Sequence, residues 1–170
     1  KLERSPDGTT GWAQIATVGA NITSYSNTGL ICNTTYHYRV RAYNADGDSA
    51  YSTSMNQATR VCPPTPAPSS LTATPVSATQ INLSWADNSS NETAFKIERS
   101  PNDTTSWVQI ATVGANVTSY ANTGLTCGTT YRYRVRAYNL GGNSTYSNLA
   151  NPQTLLCSPA APGSLAATAA

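Results

Sequence analysis

Tyr131-Arg132-Tyr133-Arg134-Val135-Arg136-Ala137-Tyr138-Asn139 is the stretch that decides how this chain folds. Tyr131, Tyr133, Val135 and Ala137 fall on one side of an extended backbone, and Arg132, Arg134, Arg136 and Tyr138 on the other. Period-two alternation of this kind is what a strand shows when one face packs on a core and the other meets water. Asn139-Leu140-Gly141-Gly142-Asn143 follows as a turn, and Ser144 to Leu155 is expected to come back as the return strand. Pro152 within it suits an edge strand, where a missing N–H costs no ladder bond.

Working outward, the same period recurs. Ile81, Leu83 and Trp85 interleave with Gln80, Asn82 and Ser84, and Phe95 and Ile97 alternate with Lys96 and Glu98. No segment carries helical periodicity. Short strands filling about 90 residues, from Pro68 to Cys157, predict an all-β, two-sheet antiparallel sandwich with seven strands per complete module.

The chain also repeats itself. Lys1-Leu2-Glu3-Arg4-Ser5-Pro6 returns as Lys96-Ile97-Glu98-Arg99-Ser100-Pro101. Trp12, Tyr25, Cys32, Tyr36, Tyr43, Tyr51 and Cys62 return as Trp107, Tyr120, Cys127, Tyr131, Tyr138, Tyr146 and Cys157. A period of about 95 residues is too long for a solenoid and suits a self-contained domain. Each repeat runs into a proline-rich seam, Pro63-Pro64-Thr65-Pro66-Ala67-Pro68 and then Ser158-Pro159-Ala160-Ala161-Pro162, which reads as an extended spacer.

Three motifs, in this order, resemble the fibronectin type III family: Trp85 on the second strand, Leu125-x-x-x-Thr129-Thr130-Tyr131, and Tyr-x-Tyr-x-Val-x-Ala ending at Asn139. The stretch Trp85-Ala86-Asp87-Asn88-Ser89-Ser90-Asn91-Glu92-Thr93 looks most like the bacterial branch of that family. The resemblance implies tandem immunoglobulin-like antiparallel β-sandwiches. It makes Trp85 and Leu125 core anchors, and Tyr131 and Tyr36 tyrosine corners whose rings enter the core while their hydroxyls bond nearby backbone. It implies this partition: 1–62 a module lacking strands A and B, 63–67 a linker, 68–157 a complete module, 158–161 a linker, and 162–170 strand A of a following module. Two accounts of the first module stay open. The sequence is a fragment of a longer array, or a neighbouring subunit completes the module in trans by donating strands.

In this family the loop before strand F and the end of strand G share one pole, so the resemblance implies disulfides Cys32–Cys62 and Cys127–Cys157. Zinc competes for the same residues, but no Cys-x-x-Cys clamp exists and His37 is the one histidine. Disulfides in turn imply an oxidising, extracellular setting or the cell surface.

Charged residues make up 11% of the chain against roughly 25% in ordinary soluble domains, and the net charge is +2. That balance offers no electrostatic grip on nucleic acid, and no apolar run approaches the ~20 residues of a membrane-spanning helix. With scattered carboxylates and one histidine, no catalytic constellation assembles, and no cofactor or metal site is expected. Asp87, Asn88, Asn91 and Glu92 form an oxygen-rich loop, which calcium or ordinary Asx-turn chemistry would explain. His37 is read as an outward surface residue. Asn21, Asn33, Asn82, Asn88, Asn91, Asn102, Asn116 and Asn143 head Asn-x-Ser/Thr sequons, read as chance products of a Ser/Thr-rich chain or as sites of glycan modification.

Arg132, Arg134 and Arg136, with Trp107 in stacking reach, are either a surface network of ion pairs and cation–π contacts or a module contact surface. The expected function is that of a non-enzymatic structural repeat of a bacterial extracellular fibre, sheath or long surface adhesin. Its partners would be neighbouring copies or adjacent repeats. The alternative is a spacer array in a secreted polysaccharide-degrading enzyme.

Overall fold

The computed structural model describes residues 1–101, 105–161 and 163. The segment 162–170, expected as strand A of a further module, lies outside the described residues except for Gly163, and so does the sequon residue Asn102. Two compact units are present, Lys1–Cys62 and the part that begins at Pro63. Among the described residues no helix is long and apolar enough to cross a membrane.

The second unit is a sandwich of two antiparallel sheets. Strands β7 (Ser69–Ser77), β8 (Gln80–Ala86) and β11 (Ser119–Asn122) form one sheet in the order β11-β8-β7. Strands β9 (Ala94–Ser100), β10 (Val108–Gly114), β12 (Arg132–Asn139) and β13 (Gly142–Asn143) form the other in the order β10-β9-β12-β13. Leu71, Ile81, Leu83 and Trp85 point inward from the first sheet, and Phe95, Ile97, Tyr133, Val135 and Ala137 from the second. Each large apolar side chain enclosed here contributes about 1.5–3 kcal/mol. Trp85 meets Phe95 across the core with the rings tilted at 59° and their centroids 5.7 Å apart. Along β12 every second residue is buried, as the alternation in its sequence requires.

Tyr131 and Tyr36 occupy equivalent corners. The backbone N–H of Thr126 donates to the Tyr131 hydroxyl at 3.0 Å, and that of Ile31 to Tyr36 at 3.1 Å. Leu125 is buried beside the Tyr131 corner and donates its N–H to the Thr79 carbonyl.

The return strand differs from its expected form. Only Gly142 and Asn143 pair as a strand with β12 (Asn139↔Gly142, Tyr138↔Asn143), followed by isolated bridges at Ala150 and Gln153. The reason lies in two serines. The N–H groups of Ala137 and Val135 donate to the Ser144 and Ser147 hydroxyls at 2.9 and 3.1 Å, where a ladder would use carbonyls. Those hydroxyls then donate to the Thr145 and Asn148 carbonyls. The first unit reproduces the arrangement with Ser49 and Ser52 against Ala42 and Val40.

The first unit has one four-stranded sheet, β2-β1-β3-β6, built from β1 (Leu2–Ser5), β2 (Ala13–Ala16), β3 (Thr35–Val40) and β6 (Met55–Ala58). A short hairpin pairs β4 (Tyr43–Asn44) with β5 (Gly47–Asp48). His37, read as an outward surface residue, lies on β3 and is half-buried. Gly8 closes over it at φ +78°, and a Cβ there would come within 2.6 Å of the imidazole Nδ1. Only glycine meets both demands. Within the seam, Pro64 and Pro68 are buried.

Candidate module-contact face

β9 and β12 run antiparallel with Arg134 opposite Glu98 and Arg136 opposite Lys96. Their outward side chains therefore meet on one surface. Arg134 donates to Glu98 Oε2 from Nε at 2.8 Å and from Nη2 at 2.6 Å, while Arg136 Nη2 reaches Glu98 Oε1 at 2.9 Å. The Tyr146 hydroxyl donates to the same carboxylate at 2.9 Å. Burial, then the Glu98 carboxylate, push the Tyr146 hydroxyl above its ordinary range.

Aromatic rings sheathe the guanidinium groups. The centre of the Arg134 guanidinium lies 4.2 Å from the Trp107 centroid and 3.7 Å from that of Tyr146, and Arg136 lies 4.9 Å from Tyr146. Lys96 stands 3.6 Å over Tyr138. The two arginine side chains are 23% exposed and Glu98 7%. A charge cluster this shielded keeps its strength better than open surface pairs do.

The first unit builds the same stack from Glu3, Arg39, Arg41, Trp12 and Tyr51. Arg39 donates to Glu3 Oε2 at 2.9 and 2.7 Å and lies 4.2 Å over Trp12 and 3.7 Å over Tyr51. The Tyr51 hydroxyl donates to Glu3 at 2.6 Å. That bond, then those from Arg39, hold the Glu3 carboxyl below its ordinary range, and Glu3 in turn raises Tyr51. One substitution redistributes charge between the copies. Asp48 stands where the second unit has Asn143; it draws Arg41 to 3.1 Å, and Arg41 recedes to 3.8 Å from Glu3.

Of the residues singled out in the sequence, Trp107, Arg134 and Arg136 come together in this stack. Arg132 lies at the other end of β12, in register with Ser100. Tyr146 and Tyr51 were not singled out, although each recurs at the same place in its repeat. The cysteines join as Cys32–Cys62 and Cys127–Cys157, with Cα atoms 5.0 and 5.1 Å apart and a sequence separation of 30 in each.

The loop around Asp87 is knit internally. Ser89 donates its N–H to Asp87 and its hydroxyl to Glu92, and Asn88 donates to the Ala67 carbonyl and Ser69 hydroxyl. Burial raises the Glu92 carboxyl, but hydrogen bonds led by that of Ser89 outweigh it and the net direction is down. Among the described residues no group of three or more His, Cys, Asp or Glu side chains could hold a metal. Of the sequon residues, Asn21 and Asn116 stand exposed at turns with φ of 63° and 60°, whereas Asn82, also exposed, lies within strand β8.

Every oxygen of Glu98 is engaged by a donor, so the cluster offers no free acid or base. What it offers is a stiff, patterned surface, repeated in both units.

The fibronectin type III domain family model matches residues 66–153. Exoglucanase B of Cellulomonas fimi is 33% identical over 135 residues, which are 73% of this chain and 12% of that enzyme. The chain thus spans a small fraction of the length of the curated relative it matches. Among solved structures, the FN1–FN3 domains of chicken CNTN1 align over 91% of this chain and 54% of theirs, at 20% identity and a TM-score of 0.56. A stretch of titin domains aligns over the same shares at 19% identity and a TM-score of 0.53. At such identities the likeness is one of fold.

Proposed function

Because this chain belongs to the fibronectin type III family, we propose that it works as a non-catalytic structural repeat outside the cell, in a bacterial fibre, sheath or long surface adhesin. The observation that carries this reading is the duplication of the arginine–aromatic stack. Both units stack one arginine against a Trp and a Tyr and bond it to a Glu, so successive modules offer equivalent surfaces. Equivalent surfaces can make equivalent contacts, which is the requirement for a regular filament. The two disulfides fit an oxidising exterior.

On this reading the face bearing Trp107, Arg134 and Arg136 is the module contact surface. Arginine and aromatic residues are the types enriched where proteins meet. Neighbouring copies or adjacent repeats would be its partners, with any glycan carried at the exposed turns of Asn21 and Asn116.

A second reading has one observation in its favour. The similarity to Exoglucanase B supports these modules as spacers in a secreted polysaccharide-degrading enzyme. Electron microscopy of the native material tests the two. Filaments with a regular axial repeat support the fibre, and their persistence after Arg134→Ser with Arg136→Ser would remove the stack from the contact. Isolated flexible strings, attached to a hydrolase, support the spacer.

A further inference from the structure

The outer strand β10 lacks the protection that the other rims of the second unit carry. It ends its sheet, and among the described residues no strand pairs with its far side. Its seven residues, Val108-Gln109-Ile110-Ala111-Thr112-Val113-Gly114, include no charge and no proline. The opposite rim of that sheet is taken up by Ser144 and Ser147 against β12. On β7, Asn148 accepts the Leu71 N–H and donates to its carbonyl, and Pro75 has no N–H to offer. β11 is only four residues long. Charge, proline, covering groups and short length all close a sheet edge to other strands, and β10 has none of the four. Its one register shift falls between Gln109 and Ala111 and leaves Ala111 to Gly114 in unbroken pairing with β9.

The register shows which backbone groups of β10 face outward. In an antiparallel ladder, neighbouring residues turn their N–H and C=O to opposite sides. Val135 and Ala137 turn theirs toward Ser147 and Ser144, which leaves Arg136 facing Lys96 of β9. Phe95 and Ile97 then face Val113 and Ala111 of β10. Thr112 lies between those two, so its N–H and C=O point off the sheet, and its side chain is exposed. Gly114, the next outward residue, already accepts the Val117 N–H on its carbonyl.

We propose that β10 pairs with β10 of a second copy of this chain, antiparallel, with the two Thr112 residues opposite each other on a twofold axis. Each Thr112 donates its N–H to the other's carbonyl, and the sheet runs on from one molecule into the next. That axis is perpendicular to the sheet, so the Arg134 stacks of both copies lie on one face. The chain itself specifies the occupant. Gln14-Ile15-Ala16-Thr17-Val18-Gly19-Ala20-Asn21 repeats Gln109 to Asn116 residue for residue, and β2, which holds its start, also ends its sheet. Whichever units meet, like rims come together. Across a twofold axis a charge would face itself at close range, and this rim carries none. A single pairing is a small contact, and modules repeated along two chains would add theirs to it. Fibre and spacer arrays would pair alike, so the inference goes beyond either reading and does not depend on it.

The test is sedimentation equilibrium of the full chain, with amide hydrogen exchange followed by NMR over the same concentrations. Expected are a reversible dimer with a dissociation constant of about 1 mM or below, and slower exchange at the Thr112 amide as the dimer fills. Thr112→Pro removes the outward N–H but no bond to β9, and should weaken the dimer at least about tenfold. Thr112→Asp keeps the backbone intact and sets two carboxylates against each other across the axis, so it should also weaken the dimer at low salt. Mixing the Thr112→Asp chain with a Thr112→Lys chain should restore pairing between them, which misfolded variants could not do. A chain that stays monomeric to about 1 mM overturns the proposal. So does a dimer in which Thr112 exchanges as fast as in the monomer. A dimer that Arg134→Ser with Arg136→Ser abolishes but Thr112→Pro spares belongs to the stack, and overturns it as well.

Discussion

The Arg134 guanidinium rests 3.7 Å from the centre of the Tyr146 ring, and both side chains end on the same carboxylate, that of Glu98. The stack is therefore a closed network, in which removing one member strands the others. Arg134→Ala should destabilise the second unit by about 2–3 kcal/mol, since it leaves a shielded carboxylate short of its strongest donor. Arg134→Lys should recover only part of this, having neither the planar fork nor the stacking face. Urea denaturation of the three proteins, followed by circular dichroism, is the measurement. Equal midpoints for all three would mean that the stack adds no stability.

Val40 and Val135 form a natural pair for weighing burial. Val135→Ala should cost about 1–3 kcal/mol, because it opens a cavity in a closed core. Val40→Ala, at a half-exposed position, should stay within roughly 0.5 kcal/mol. Hydrogen exchange reports each unit separately and would show whether the two substitutions differ as expected.

Each disulfide closes a loop between residues 30 apart, worth about 3 kcal/mol in the chain-entropy account. Cys127→Ser with Cys157→Ser should lower the stability of the second unit by that order while leaving its circular dichroism spectrum intact at low temperature. Intact mass before and after alkylation without reductant checks the pairing itself, and free thiols would contradict it.

Glu3 supplies a dependence on pH. Bonds from Tyr51 and Arg39 depress its folded pKa below the ordinary 4.5. A depressed carboxyl stabilises the fold above its unfolded pKa, and that contribution fades as pH falls through 4.5 toward the folded value. Glu3→Gln should thus lower the melting temperature of the first unit at neutral pH and make little difference well below pH 4.5. Parallel melting curves across that range, with a constant gap between the two proteins, would contradict the assignment.

Much of this was legible in the sequence, for identifiable reasons. β8, β9 and β12 are half-buried strands, so their alternation survives in the residues themselves. The corner tyrosines and the cysteines recur at fixed places in both repeats, which exposes them to simple comparison. Tyr146 was harder to find because it reaches Glu98 only through the bend that Ser144 and Ser147 impose. Serine hydroxyls that replace carbonyls leave no periodic trace, so the return segment read as a plain strand. The exposure of Val40 does not show in its own strand. Its local sequence is that of a buried valine, and burial depends on what packs against it.

The serines that interrupt the return segment also bear on how such modules survive at close quarters. An open sheet rim with idle amides and carbonyls invites edge-to-edge sticking, and proteins usually blunt it with lysine or other charges. This chain carries few charges to spend. Ser144 and Ser147, like Ser49 and Ser52, occupy inner amides and outer carbonyls together. The rim is thereby masked with hydroxyls instead of charge. Serine hydroxyls there occupy backbone groups that charged side chains shield on the rims of other proteins, in keeping with a hydroxyl-rich, charge-poor chain.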